Sequence, residues 1–427
     1  MKNTGYTNFR SGLLGEKLAH SFSPQIHGFL SDYSYRFFEK NSDDVHNFLQ
    51  SGEFDAINVT IPYKKVAFSA CNKLSDTASR IGSVNTVVNK NGILSGYNTD
   101  YFGFTYLIKK AGFDVKCGKA LVLGSGGSSV MAVAALKDLG SPEVIVISRS
   151  GENNYNNIYE RHADASIIVN TTPMGMYPNN GVSAVELENF SSCKGVIDII
   201  FNPAKTKLLL DAEKLGIPYI NGLPMLVAQA KQASDIFLGL LSEDGYHESY
   251  ISEVSEEIDK ITRLIELETK SIALIGMPGC GKSTIGAILA KKTNKDFIDI
   301  DIEIEKQIGM KIPEFFALKG EAAFREIETA TLDEYSRKSG IVIATGGGVI
   351  KNPKNLPVLK QNSLIVMIKR PLECLATEGR PISLSSNMET LAKERLPIYE
   401  AWKDICVDTK HSCPDAIADE IIEYLMK

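Results

Sequence analysis

No stretch of this 427-residue sequence approaches 18 consecutive apolar residues, so it offers no candidate for a membrane-spanning helix. Met1 to Arg10 lacks the apolar core of a signal peptide, and the cytoplasm is the expected compartment. Positive charge is not in excess: Lys+Arg number 46 against 52 Asp+Glu, for a net charge of -6. That balance argues against a general nucleic-acid surface. The cysteines number seven, an odd count with no C-x-x-C pair, which excludes a disulfide or zinc framework read from spacing. What is present is ordinary for a soluble globular chain, with 44% hydrophobic and 23% charged residues. A chain of 427 residues exceeds one ordinary core and implies two or three domains. Small-molecule partners are expected, with no nucleic acid and no membrane, in a monomer or homodimer.

The most specific stretch is Gly276-Met-Pro-Gly-Cys-Gly-Lys-Ser-Thr284, which fits G-x-x-x-x-G-K-[ST] at every fixed position. Its glycines, Gly279 and Gly281 among them, let backbone N–H groups curl around a triphosphate. Lys282 reaches the outer phosphates, and the Ser283 hydroxyl takes a magnesium ligand position. Cys280 reads as a tolerated variable position. The apolar run 271–275 suits a buried strand, and Thr284 to Lys291 reads as a helix whose N-terminus faces the anion. ATP and Mg2+ are therefore expected here.

Upstream, strand-like runs alternate with helix-like ones, which points to an α/β layer. Ser23 before Pro24 reads as an N-cap with proline at the first helical position. Lys64 follows the strand-like Phe54–Thr60; a lone lysine there is ordinarily a solvated charge. Asn91-Gly92 is a hairpin signal. Thr99 or Asp100 reads as the cap of the next helix. A second unit begins at Lys119: strand, the turn Gly124-Ser-Gly-Gly-Ser-Ser129, helix, strand. That is the dinucleotide-binding arrangement. Arg149 stands at the end of its second strand, where it suits the 2′-phosphate of NADP, although Glu152 nearby does not help.

Taken together, HSFSP, NVTIPYK, GSVNTV, GYNTD, GSGGSS, SR, NTTPMGM and NGLPMLVAQA resemble shikimate dehydrogenase over roughly residues 8 to 241. The resemblance implies that Ser21 and Ser23 hold the substrate carboxylate and that Thr60, Asn85 and Gln229 contact ring hydroxyls. It makes Lys64 and Asp100 the catalytic pair. It places NADP against Gly124, Ser125, Gly126, Gly127, Ser128, Ser148, Arg149, Thr171 and Gly222. One departure stands out: Phe201 occupies a position where the family commonly has tyrosine. The missing hydroxyl predicts weaker substrate binding, since a charge-assisted hydrogen bond is worth about 1.5–3 kcal/mol.

From Ser242 to Lys270 acidic residues dominate. Ile251, Val254, Ile258, Ile261 and Ile265 recur at helical spacing, which predicts one amphipathic helix, packed on one of the two domains in preference to a dimer contact. Beyond the phosphate loop, Asp299 and Asp301 alternate on a strand-like run, so they are expected to face different partners. Arg325 and Glu328 lie three apart, the spacing of a surface ion pair. Gly346-Gly-Gly348 ends an apolar strand, and Gly379-Arg-Pro-Ile-Ser383 suits a mobile lid. These motifs resemble shikimate kinase across roughly 270 to 427. The resemblance implies that Asp301, Arg325, Gly347, Gly348 and Arg395 hold the ring acid. It further assigns Asp299 and Ser283 to the metal shell and Arg380, with Thr284 and the loop, to ATP. The lid departs from the usual R-P-L-L, which puts lid closure or ATP affinity in doubt.

The expected fold class is α/β throughout. A substrate domain spans 1–105, closed by the helix 223–241; a Rossmann NADP-binding domain spans 106–241. An acidic helical linker covers 242–269. A P-loop domain of the nucleoside-monophosphate-kinase type, with a parallel sheet, spans 270–427. The expected activity is NADPH-dependent reduction of 3-dehydroshikimate followed by ATP-dependent phosphorylation of shikimate. The alternatives are an NAD-preferring quinate/shikimate dehydrogenase joined to another small-acid kinase, or one half retained as a binding or regulatory module.

Overall fold

The structure, a computed structural model, describes residues 8–18, 21–241, 248–375, 388–410 and 413–426. The chain divides into two compact units. The first comprises Met1–Met174, Ser183–Phe201 and Asp211–Leu264; the second comprises Gly175–Val182, Asn202–Leu210 and Ile265–Lys427.

The first unit begins with β1 (Arg10–Gly15), α1 (Ser23–Leu30), β2 (Ser34–Glu39), α2 (Val45–Gln50), β3 (Ala56–Val59) and α3 (Lys64–Ala70). It continues through β4 (Lys73–Leu74), α4 (Asp76–Ile81), β5 (Thr86–Lys90), β6 (Ile93–Tyr97) and α5 (Thr99–Ala111). The six strands form a mixed sheet ordered β2-β1-β3-β5-β6-β4. Asn91 and Gly92 take φ of 55° and 84°, the positive values a two-residue turn between right-twisted strands demands, and β5 pairs antiparallel with β6. Phe48, Phe54, Ile57 and Val87 fill one face of this sheet. Tyr33, Ala56, Val88, Ile236 and Phe237 fill the other.

Next come β7 (Lys119–Leu123), α6 (Gly127–Asp138), β8 (Glu143–Ile147), α7 (Ile158–His162), β9 (Ile167–Asn170) and β10 (Gly195–Asp198). The chain then runs through α8 (Lys207–Leu215), β11 (Tyr219–Ile220), α9 (Leu223–Phe237) and α10 (Glu248–Thr269). These strands form an all-parallel sheet ordered β11-β10-β9-β7-β8. Its central strands are continuously apolar, with Ala120 to Leu123 and Ile167 to Val169 almost wholly buried, as a parallel sheet covered on both faces requires. Strand order reverses on either side of β7, and the carboxyl ends there are where such sheets bind ligands.

The acidic stretch forms the expected helix. In α10, Ile251, Val254, Ile258 and Ile261 are buried. Its polar residues are tied to α5 and α9: the Tyr106 hydroxyl donates to Asp259 Oδ1 at 2.5 Å and the Tyr250 hydroxyl to Asp235 Oδ2 at 2.6 Å. Lys110 pairs with Asp259 at 2.7 Å and Lys231 with Glu257 at 3.0 Å.

The second unit contains β12 (Ser271–Ile275), α11 (Lys282–Thr293), β13 (Asp296–Asp299), α12 (Ile300–Ile308), α13 (Ile312–Ser336) and β14 (Ile341–Ala344). It continues with α14 (Asn355–Lys360), β15 (Ser363–Lys369), α15 (Met388–Trp402), β16 (Ile405–Asp408) and α16 (Pro414–Met426). Its sheet is parallel, ordered β13-β14-β12-β15-β16, with β12 central and feeding straight into the phosphate loop. Among the described residues no helix is long and apolar enough to cross a membrane.

Three local expectations are corrected. Phe22, not Ser23, occupies the N-cap of α1, and no side-chain cap bond forms there; Ser23 is the first helical residue, so its hydroxyl serves elsewhere. Asn98 takes the N-cap position of α5, so neither Thr99 nor Asp100 caps it. The strand carrying Asp299 stops at that residue, because its side chain accepts from Asp301 N and opens α12. Asp301 therefore lies in a helical first turn, not two residues along a strand.

Candidate active sites

In the first unit, Lys64 opens α3 and Asp100 sits in the first turn of α5. Lys64 Nζ donates to Asp100 Oδ2 at 2.6 Å. Their side chains are 23% and 17% exposed, so the pair is neither sealed nor a solvated surface charge. Beside it the amide of Asn85 is held from both ends: Oδ1 accepts from Thr99 N at 2.8 Å, and Nδ2 donates to Thr99 Oγ1 at 3.0 Å. Thr99 Oγ1 in turn lies 3.5 Å from Gln229 Oε1 on α9. The register of the β3–β5 pair sets Asn58 opposite Thr86, whose neighbour is Asn85. Thr60 ends the run after β3, its N–H donating to Leu14 O at 2.9 Å.

Ser21 Oγ donates to Ser23 Oγ at 3.1 Å, and Ser23 is buried. The Phe22 ring between them lies 5.6 Å from that of Phe201. Position 201 thus packs against the residue that separates the two serines, with a ring that carries no hydroxyl.

In the parallel sheet, Gly124 takes φ +106°, and a Cβ on it would stand 3.0 Å from Thr171 Oγ1. Thr171 Oγ1 donates to Leu123 O at 2.7 Å, which holds β9 against the turn. Gly126 and Gly127 differ: a Cβ there would meet nothing within 4 Å. The protein's own packing does not require these two glycines. Their effect is to leave the N-terminus of α6 open, where first-turn N–H groups lack helical partners. Ser125 is exposed and Ser128 half-buried on the same turn. Ser148 and exposed Arg149 follow β8. Glu152 reaches Arg161 at 3.4 Å. Gly222 has a packing reason of its own, because a Cβ would lie 1.9 Å from Ile199 O.

In the second unit a cavity of about 440 Å³ is lined by the phosphate loop, Asp299, Asp301, Arg325, Glu328, Gly346 to Gly348, Arg370 and Arg395. Gly281 precedes α11 at φ +100°, which only glycine adopts without strain. Lys282 lies across the loop, Nζ donating to Gly276 O at 3.0 Å and Met277 O at 3.1 Å. Ser283 Oγ donates to Asp299 Oδ2 at 2.5 Å, bringing two hard oxygens together at the loop's edge. Thr284 is exposed and Cys280 buried, its sulfur 3.8 Å from Lys282 Nζ.

The residues expected to hold the ring acid gather on the opposite wall. Arg325 Nη1 donates to Glu328 Oε2 at 2.7 Å, and with side chains 13% and 1% exposed this is not the surface pair its spacing suggests. Burial pushes the Glu328 carboxyl up to about 7 despite the pull of Arg325, and the charges of Asp301 and Glu321 act in the same direction as burial. Arg395 is buried and donates to Gly347 O at 2.9 Å, and the Tyr399 hydroxyl reaches the same carbonyl at 2.5 Å. The glycines are fixed by their neighbours. A Cβ on Gly346 would lie 2.7 Å from Asp301 Oδ1, and one on Gly348 would lie 2.2 Å from Arg325 Nη2. Asp299 and Asp301, expected to face different partners, border one cavity. Arg380 lies outside the described residues. Sequence reasoning missed Tyr399, Arg370 and the burial of Glu328; only the Arg-x-x-Glu spacing hinted at the last.

Both units therefore have the build of nucleotide-using α/β enzymes, one with a dinucleotide turn and one with a phosphate loop. The model of the shikimate dehydrogenase substrate binding domain matches residues 13–87, and that of shikimate kinase matches residues 278–426. A shikimate dehydrogenase (NADP(+)) of Clostridium perfringens is 34% identical over 264 residues, covering 57% of this chain and 97% of the relative. The solved shikimate dehydrogenase 1 of Peptoclostridium difficile is 33% identical with a TM-score of 0.54, covering 60% of this chain and 98% of its own. A chorismate mutase/shikimate 5-dehydrogenase fusion protein from Clostridium acetobutylicum is 31% identical with a TM-score of 0.53, covering 60% and 97%. The chain belongs to the shikimate dehydrogenase family and carries a shikimate kinase domain C-terminal to it.

Proposed function

We propose that this chain catalyses two consecutive steps: reduction of 3-dehydroshikimate to shikimate with NADPH, then phosphorylation of that shikimate to shikimate 3-phosphate with ATP. The reading rests above all on the co-occurrence, on one chain, of the Lys64–Asp100 pair and of a phosphate loop facing Arg325 and Arg395. The product of the first step is the acceptor of the second.

In the reductive step the nicotinamide, when bound, supplies the hydride. Lys64 then delivers a proton from Nζ to the oxygen on which charge develops and, as the neutral amine, takes it back in the reverse direction, while Asp100 orients the ammonium. Ser21 and Ser23 hold the carboxylate; Thr60, Asn85 and Gln229 hold ring hydroxyls. The open space over Gly126 and Gly127 fits a pyrophosphate at the α6 N-terminus. Arg149 meets the 2′-phosphate, since Glu152 is engaged with Arg161. Arg149→Ala is accordingly expected to raise KM for NADPH by roughly 10- to 100-fold, the worth of a lost charge-assisted bond of about 1.5–3 kcal/mol. KM for NADH should barely move, and initial rates with both nicotinamides check this.

In the phosphoryl step Ser283 and Asp299 fit a magnesium ion, which takes few protein oxygens and keeps waters and phosphate oxygens as its other ligands. Lys282 meets the transferring phosphate, while Arg325 and Arg395 hold the acceptor carboxylate and Asp301 its hydroxyls. Glu328 tempers the charge of Arg325. Below its elevated pKa near 7 the Glu328 carboxyl is neutral and Arg325 is less offset. The acceptor should therefore bind roughly three- to tenfold more tightly at pH 6 than at pH 8. Glu328→Gln should flatten that profile in kinase KM measurements.

The whole reading is tested by supplying 3-dehydroshikimate, NADPH, ATP and Mg2+ to the purified chain. Formation of shikimate 3-phosphate supports it; a silent half defeats it for that half.

A further inference from the structure

Behind the proposed ring-acid contacts lies a buried polar relay that begins on β2. The Tyr35 hydroxyl donates to Asn58 Oδ1 at 2.8 Å. Asn58 Nδ2 donates to Thr86 Oγ1 at 3.1 Å, and Thr86 Oγ1 donates to Asn85 Oδ1 at 3.1 Å. From Asn85 the relay passes to Thr99 at 3.0 Å and reaches Gln229. Tyr35 thus anchors the far end of the relay whose near end is the amides proposed to face ring hydroxyls.

The phenol is held in place. His27 stacks beneath the Tyr35 ring at 3.9 Å and 8°, and its Nδ1 meets the Tyr33 hydroxyl at 2.7 Å. Tyr33 donates to Ser234 Oγ at 2.9 Å on α9, the helix that also carries Gln229. Burial keeps His27 neutral, far below an ordinary imidazole, so the stack carries no charge at working pH. Burial likewise keeps the Tyr35 phenol protonated, so it remains a donor. Asn58 is itself 5% exposed, and a buried amide that loses a donor pays an unsatisfied acceptor or rotates. Rotation would carry Thr86 and then Asn85 with it.

We propose that Tyr35 is a positioning residue for the ring acid. Through Asn58 and Thr86 it fixes the orientation of Asn85. It touches neither the reacting carbon nor the nicotinamide. This matters more here because Phe201, packed on Phe22, brings no hydroxyl of its own. The proposal rests on the dehydrogenase reading above.

The test is Tyr35→Phe in the full chain, which removes one oxygen and keeps the ring on His27. KM for shikimate, measured in the oxidative direction, should rise about tenfold. The kcat should stay within about threefold, and KM for NADP and all kinase parameters should be unchanged. A merely structural loss would instead move KM for both substrates together and lower the thermal midpoint, and that outcome overturns the proposal. So does an unchanged KM for shikimate. In the Tyr35→Phe/Asn58→Ala double variant the two effects on KM should be less than additive, and full additivity also counts against it. Lack of dehydrogenase activity in the unmutated chain would sink the functional reading itself, a result distinct from an active enzyme indifferent to Tyr35.

Discussion

Replacing Lys282 by alanine is expected to cut shikimate phosphorylation by roughly 10²- to 10³-fold or more, the scale of removing one preorganised donor from a charge-developing site. The side chain is 8% exposed and crosses the loop to the carbonyls of Gly276 and Met277, so its ammonium is held where the outer phosphates are expected. The loss should fall mainly on kcat, because an interaction that strengthens in the transition state lowers kcat and kcat/KM together. Nicotinamide-dependent rates should stay within about twofold. Lys282→Arg keeps the charge but not the compact ammonium and should remain badly impaired. If Lys282→Ala phosphorylates shikimate at a near-normal rate, the phosphate loop is not the catalytic one.

The second large effect is at Lys64. Lys64→Ala should lower kcat for reduction by roughly 10²- to 10⁴-fold, the range of a positioned proton donor, while phosphorylation continues. Asp100→Asn provides the companion measurement. It leaves an ammonium without its carboxylate partner, 2.6 Å away in the unmutated chain, and should also depress kcat. Stopped-flow traces on the Lys64 variant should show NADPH binding intact and turnover lost. Loss of NADPH binding instead would place Lys64 in cofactor recognition and overturn the assignment.

How much of this could be read from residues alone follows the range of the interactions. The phosphate loop, the turn at Gly124 and the hairpin at Asn91-Gly92 are set by neighbours a few positions away, and their strands and helices formed where the patterns placed them. Positions governed by distant packing were not legible. Ser23 looked like a cap because a serine before proline usually is one, yet the chain enters α1 at Phe22. Arg325 and Glu328 looked like a surface pair because spacing carries no information about depth, and the wall that buries Glu328 includes Gly346 and Asp301. The contacts that hold Tyr35 join residues up to 201 positions apart, where Tyr33 meets Ser234, and no local pattern marks them.

The docking of α10 bears on where this gene could be divided. A fragment ending at Leu241 would uncover the apolar strip that Ile251, Val254, Ile258 and Ile261 shield, and would strand the carboxylate of Asp235 without Tyr250. Any attempt to express the reductase by itself should carry the helix along as its own outer wall, with the cut placed beyond it.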